Sequence, residues 1–175
     1  MTKLEFERCP RTSYAARTEI NCRNADATIA VAANFKTAGE RLTKVETLLA
    51  NKLYRPVDVS RGLVDPFQVA RSLIGRRIET LNFAGNGIYT MSKYGWSQDR
   101  CDEYARELLA AIMTMCPLML VRSGGQTGFD EAGAKAAAWL GVPRVLVYAP
   151  KDWSFRTADG VDVHDEAAFK RRFLT

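Results

Sequence analysis

The chain has 175 residues, 47% hydrophobic and 26% charged, which suits one substantial core and excludes a disordered or low-complexity polymer. Its net charge of +5 is spread among acids, so a small anionic ligand accounts for the excess and nucleic acid is not indicated. The 4 cysteines lack Cys-x-x-Cys spacing and His164 is the only histidine, which argues against a zinc site or a histidine-dependent triad. With no leader-like start and no run of the roughly 18 apolar residues that a bilayer requires, a cytoplasmic protein with reduced thiols and no membrane partner is expected.

In chain order, residues 1–16 carry Pro10, Thr12 and Ser13 among charged groups and read as an N-terminal arm, leaving 17–175 as one domain. Ala27 to Ala33 is a short apolar run behind Asn24 and Asp26, as expected of a parallel strand buried on both faces. After the loop from Asn34 to Gly39, Leu42, Val45, Leu48 and Leu49 recur at helical spacing up to Asn51, which predicts a helix with that stripe in the core. Arg55 to Val59 predicts a strand. Asp65-Pro66 opens a helix with Phe67, Ala70, Leu73 and Ile74 on one face, stopped by Gly75.

Ile78 to Phe83 predicts the next strand, running into the glycine turn Ala84-Gly-Asn-Gly-Ile-Tyr89. There Asn86 can meet a ligand edge and Tyr89 can cover a ring, or the turn serves only its own backbone. Ser97 caps a long helix with a packed stripe from Cys101 to Met113. A strand at Leu118 to Val121, a helix at Asp130 to Leu140 and a strand at Val145 to Tyr148 follow. Lys151 to Gly160 reads as a polar loop whose Lys151 and Arg156 suit a phosphate, and Trp153 and Phe155 either cover a base or anchor the loop. Asp165 to Leu174 predicts a closing helix with Phe169 and Phe173 packed inward. Alternating strands and helices imply an α/β fold, a mostly parallel sheet sandwiched between helices.

The stretch with most chemistry is Ser123-Gly-Gly-Gln-Thr-Gly-Phe-Asp130, between a strand and a helix. Gly124, Gly125 and Gly128 allow a sharp turn and a close approach, and a helix start presents unpaired amides, so the expectation is an anion seat. It is neither a Walker A loop nor a Gly-x-Gly-x-x-Gly fingerprint. Ser123, Gln126, Thr127 and Asp130 add polar side chains to the same short turn. On this view Gly125→Val abolishes ligand binding and leaves the domain folded.

That octapeptide resembles the Ser-Gly-Gly-Gln-Thr-Gly-x-Asp signature of the molybdenum cofactor carrier family, a branch of the SLOG superfamily of Rossmann-like proteins. Ala149-Pro-Lys151 and Ala158-Asp-Gly160 are similar to its downstream elements. Segments from Tyr14 to Asn21, Ala25 to Ile29 and Thr37 to Thr43 resemble blocks that follow the glycine turn in the carriers and here precede it. Leu81 to Gly85 looks like a further block. The resemblance implies a Rossmann-like three-layer sandwich in circularly permuted order, or the usual order with the first half appended in front.

Arg17 and Asn21 match a family element, and with the strand-end loops they give an expected ligand site of Arg17, Asn21, Asn34, Thr37, Gly39, Arg41, Thr43, Gly85, Asn86, Tyr89, Lys151 and Arg156 beside the glycine turn. The expected ligand is a phosphorylated small molecule, a nucleotide derivative or molybdopterin, held by a carrier, sensor or sponge. A homodimer or higher homo-oligomer is expected by analogy. Glu40 departs from the carrier pattern: it is either a helix N-terminal charge, a base, or a ribose contact. The alternative activity is a nucleotide N-glycosidic hydrolase with Glu40 and Asp130 as its acids, since a related SLOG branch cleaves nucleoside monophosphates. No metal ligands are expected.

Overall fold

A computed structural model describes residues 2–11 and 13–174. Met1, Thr12 and Thr175, which fall within the expected arm and domain, lie outside the described residues. Six strands form one sheet: β1 (Lys3–Arg8), β2 (Ala27–Ala32), β3 (Leu53–Asp58), β4 (Thr80–Gly85), β5 (Leu120–Ser123) and β6 (Arg144–Ala149). Their order is β1-β6-β5-β4-β2-β3 and every pairing is parallel.

The helices are α1 (Tyr14–Arg23), α2 (Ala38–Leu49), α3 (Pro66–Arg71), α4 (Ile88–Ser92), α5 (Gln98–Met113), α6 (Phe129–Trp139) and α7 (Glu166–Arg171). α1 packs on α2 along one face of the sheet, and α5 packs on α3 and α6 along the other. The fold is a Rossmann-like three-layer sandwich. A small antiparallel hairpin, β7 (Ser154–Arg156) with β8 (Asp162–His164), joins β6 to α7.

Residues 3–8, expected in an arm, instead form edge strand β1, with Leu4 opposite Val145 and Phe6 opposite Val147. The alternation Leu4, Phe6 against Glu5, Glu7 is a half-buried strand pattern, and the prolines and hydroxyls that suggested an arm lie just after it. Helix α1 was also hidden, because its apolar residues are too few to make a stripe.

The two faces of the sheet differ in chemistry. Toward α5 and α6 the strands present Leu81, Phe83, Val121 and Val145, and the buried stripe of α5 runs Cys101, Tyr104, Ala105, Leu108, Leu109 and Ile112. Gly133 of α6 lies directly on the Phe83 ring, so α6 approaches β4 at a distance no side chain there would permit. Toward α1 and α2 the buried groups are polar: Asn82 Nδ2 donates to Thr28 Oγ1 (3.2 Å), and the hydroxyls of Thr28 and Thr47 share a hydrogen bond (3.1 Å).

Helix α2 therefore rests on the sheet through Glu40, Thr43 and Thr47. Its apolar stripe points outward, with Val45 49%, Leu48 55% and Leu49 70% exposed, which corrects the expectation that this stripe is core. In α3 and the turn after it, likewise, Ala70 and Leu73 are buried whereas Phe67 and Ile74 are exposed. The four cysteines are buried free thiols. Among the described residues no helix is long and apolar enough to cross a membrane.

Candidate functional site

Strand order fixes where a site can form. From β2 the chain passes to β3 on one side and then crosses back to β4 on the other, so the connections diverge at the carboxyl ends of β2 and β4. Open parallel sheets bind ligands in such a crevice. Three loops meet there: Ala33 to Thr37 after β2, Gly85 to Gly87 after β4, and Gly124 to Gly128 after β5.

Asn86 stitches them together. Its Oδ1 accepts from the amides of Ala33 (3.1 Å) and Asn34 (2.8 Å), and its Nδ2 donates to the Asn34 carbonyl (3.1 Å) and Glu40 Oε1 (3.3 Å). Its own amide donates to Val31 O and its carbonyl accepts from Phe129 N. The side chain is buried and fully engaged, so the expectation that Asn86 meets a ligand edge is corrected: it is scaffold.

The glycine turn is likewise satisfied from within. The Gly125 amide donates to Ser123 Oγ (3.1 Å), whose hydroxyl donates to Asp130 O (2.7 Å). The Gly128 amide donates to Gln98 Oε1 (2.7 Å), and Gln98 Nε2 returns a bond to Gly128 O (3.0 Å). The Asp130 carboxylate accepts from the amides of Gly85 (3.2 Å) and Gln126. The expected open anion seat at residues 123–128 thus already holds the chain's own carboxylate and hydroxyls.

Gly125 has φ +74°, and a Cβ there would lie 2.5 Å from Phe169 Cζ and 2.9 Å from Val147 Cγ1. It is a buried packing position, so Gly125→Val strikes the fold, contrary to the sequence expectation. The turn is clamped from the C-terminal side as well: Thr127 Oγ1 donates to Arg156 O (2.6 Å) and Arg172 donates to Gly125 O (2.8 Å).

Beside the turn lies an open cavity of about 460 Å³. Gly39, Gly85, Tyr89, Gln126, Thr127 and Arg156 line it, all expected from the sequence. Tyr14, Gly87, Thr90 and the hairpin residues Ser154, Phe155, Asp162 and His164 complete it. Arg156 is held by both carboxylate oxygens of Asp162 (2.7 and 2.8 Å), its guanidinium carbon 5.7 Å from the Tyr89 ring centre.

A narrower polar recess takes Arg17, Asn21, Thr43, Gly124 and Asp130. There the Asn21 amide oxygen accepts from Arg122 (3.3 Å) and Thr43 donates to Gly39 O (3.0 Å). A Cβ on Gly124 would fall 2.6 Å from Asp130 Oδ2 and 3.6 Å from Arg17 Nε, so this glycine admits both charges. Asn34 and Thr37 spend their side chains on the amides of Lys36 and Glu40, the latter as the N-cap of α2. Arg41 and Lys151 line neither space.

Burial governs the charges here. It raises the Asp130 carboxyl to about 6, against the pull of Arg17, and raises Glu40 to about 8 with help from the Asp130 charge. It also raises the Tyr14 phenol to about 12 and lowers the Arg17 guanidinium, which stacks 5.1 Å over the Tyr14 ring. Asp130 and Glu40 are tied to consecutive residues of one loop, Gly85 and Asn86.

Sequence reasoning missed Tyr14, Gln98, Asp162 and His164 as site residues. The hairpin had a signal: Ser154-Phe-Arg and Asp162-Val-His alternate around Asp159-Gly160, a turn dipeptide. Gln98 had none, since a glutamine at a helix start reads as solvent-facing.

Sheet, crevice and layering define a Rossmann-like protein. The chain belongs to the circularly permutated YpsA SLOG family, whose model matches residues 2–94, more than half of the sequence. Strand β1, first in the chain but hydrogen-bonded beside β6, is what such a permutation produces. The crystal structure of a candidate molybdenum carrier protein from Syntrophus aciditrophicus SB matches with 21% identity and a TM-score of 0.48, over 60% of this chain. The match spans 63% of that chain, less than two thirds of its length. No curated protein matches the sequence.

Proposed function

We propose that the chain binds a phosphorylated small molecule, a nucleotide derivative or a molybdopterin-type cofactor, in the 460 Å³ cavity, as a carrier, sensor or sponge. The observation that carries this reading is the cavity wall: main chain at Gly39, Gly85 and Gly87, rings at Tyr14 and Tyr89, and the Arg156 guanidinium, whose partner Asp162 lines the same wall. Glycine edges let a ligand approach the main chain, the rings suit a planar heterocycle, and a guanidinium suits phosphate. In this reading the anion seat moves from the 123–128 turn to the start of α2, whose positive dipole end adjoins Gly39, although the Glu40 amide there is already capped by Thr37. Glu40 does not oppose an anion there, because it lines no part of this cavity and holds its proton at neutral pH.

Calorimetry with AMP, ADP-ribose, NAD, a cyclic dinucleotide and molybdopterin tests the reading. At least one binds, and Arg156→Ala weakens it about tenfold, the worth of a charge-assisted pair. If none of the five binds, the reading fails.

A second reading, nucleotide N-glycosidic hydrolysis, is favoured by the raised Asp130 and Glu40 carboxyls in one loop system, a pattern that marks acid–base sites. It requires free base to appear from AMP, CMP or NAD and to disappear in Asp130→Asn; intact nucleotide after long incubation removes it. The homo-oligomer implied by the resemblance belongs to this proposal and is tested by light scattering of the purified chain.

A further inference from the structure

A second cavity of about 410 Å³ lies between α2 and edge strand β3. Glu40, which lines no part of the first cavity, lines this one together with Phe35, Arg41, Lys44, Tyr54 and Asp58. Two residues of its wall carry an oxygen that is buried without a partner: Glu40 Oε2, on a residue only 4% exposed, and the Tyr54 hydroxyl. Folded proteins seldom leave such atoms unpaired, and two of them on residues of one cavity wall point to a guest that supplies the missing donors.

The charge pattern narrows the guest. Two acids, Glu40 and Asp58, and two bases, Arg41 and Lys44, line the space, so neither a simple cation nor a simple anion matches it. Asp58 is already engaged by the Ser60 amide (2.9 Å), which leaves Glu40 as the acid whose partner is missing. An ammonium carries three donors and no acceptor, and so serves both the Glu40 and Tyr54 oxygens. The Phe35 ring in the same wall is a favourable neighbour for a positive charge. Arg41 and Lys44 are exposed on α2, and their heads can close on a carboxylate or phosphate.

We propose that this cavity binds a small zwitterion, a primary amine with its ammonium against Glu40 and Tyr54 and its carboxylate or phosphate against Arg41 and Lys44. Glu40 then changes from acid to carboxylate as the ammonium arrives. Burial and the Asp130 charge set its proton affinity from α6, Asn86 opposes them from the loop after β4, and the phenols of Tyr14 on α1 and Tyr54 on β3 stay protonated. Binding at pH 7 therefore expels a proton.

Calorimetry of the full chain with 4-aminobutyrate and O-phosphoethanolamine tests this, in two buffers of different ionisation heat. At least one of the two binds with proton release, and the stronger tells carboxylate from phosphate. Butyrate and butylamine bind about tenfold more weakly than their zwitterionic counterpart, each having lost a charge-assisted contact. Glu40→Gln lowers affinity about tenfold and Tyr54→Phe about threefold, while Arg156→Ala, in the other cavity, leaves it unchanged. Butyrate binding as well as 4-aminobutyrate, proton uptake instead of release, full affinity in both Glu40→Gln and Tyr54→Phe, or no binding of either zwitterion at millimolar concentration overturns the proposal.

Discussion

Burial raises the proton affinity of two carboxylic acids at the carboxyl ends of the strands. Asp130 and Glu40 both hold their protons more tightly in the folded chain than in the unfolded one, so between about pH 4 and their folded values the native state binds more protons. Their contribution to stability is therefore full at the acid end, and it is lost as pH rises through about 6 for Asp130 and about 8 for Glu40. Thermal melts should show Glu40→Gln matching the parent at pH 5 and exceeding it at pH 8. A parent melting temperature that climbs between those values would contradict the assignment. Gly125→Ala combines a left-handed backbone with a Cβ pressed on Phe169, and should cost about 2–5 kcal/mol in urea titrations. Asn86→Ala leaves the amides of Ala33 and Asn34 and the Asn34 carbonyl without their partner, a loss on the order of 3–5 kcal/mol by the same measurement.

At the level of elements, α2 shows what periodicity can and cannot tell. The spacing of Leu42, Val45, Leu48 and Leu49 located the helix to within two residues at each end, yet it named the wrong face. A stripe rule assumes an oily sheet, and this side of the sheet is lined by Asn82, which donates to Thr28, and by Thr28 itself, which shares a hydrogen bond with Thr47 of α2. Leu49→Ala should therefore change stability by no more than about 0.5 kcal/mol, where a buried leucine would cost about 2–5 kcal/mol. In α5 the rule worked, because Ser97 caps the helix and its facing strands are apolar. Similarly, the sequence placed the three glycine loops together correctly and misjudged the use of the central one. Glycines and polar side chains mark a crowded bend, but whether Asp130 and Gln98 fill it or leave it open is decided by residues far apart in the chain.

Across the whole molecule, the segment after β6 acts as a brace for the site. Phe169 packs against Trp153, Phe155 and Phe173 and over Gly125, while Arg172 bonds Glu131 and the Gly125 carbonyl. Phe169→Ala should cost about 3–5 kcal/mol and weaken the ligand of the 460 Å³ cavity, since the hairpin that walls it rests on that ring.

The position of β1 has a kinetic consequence. Its partner, β6, lies far downstream, with Lys3 opposite Arg144, so β1 has nowhere to dock until the last strand of the sheet is made. In pulse-labelling during refolding, the amides of residues 3–8 should be the last in the sheet to gain protection, sealing an edge that the rest of the domain has left open.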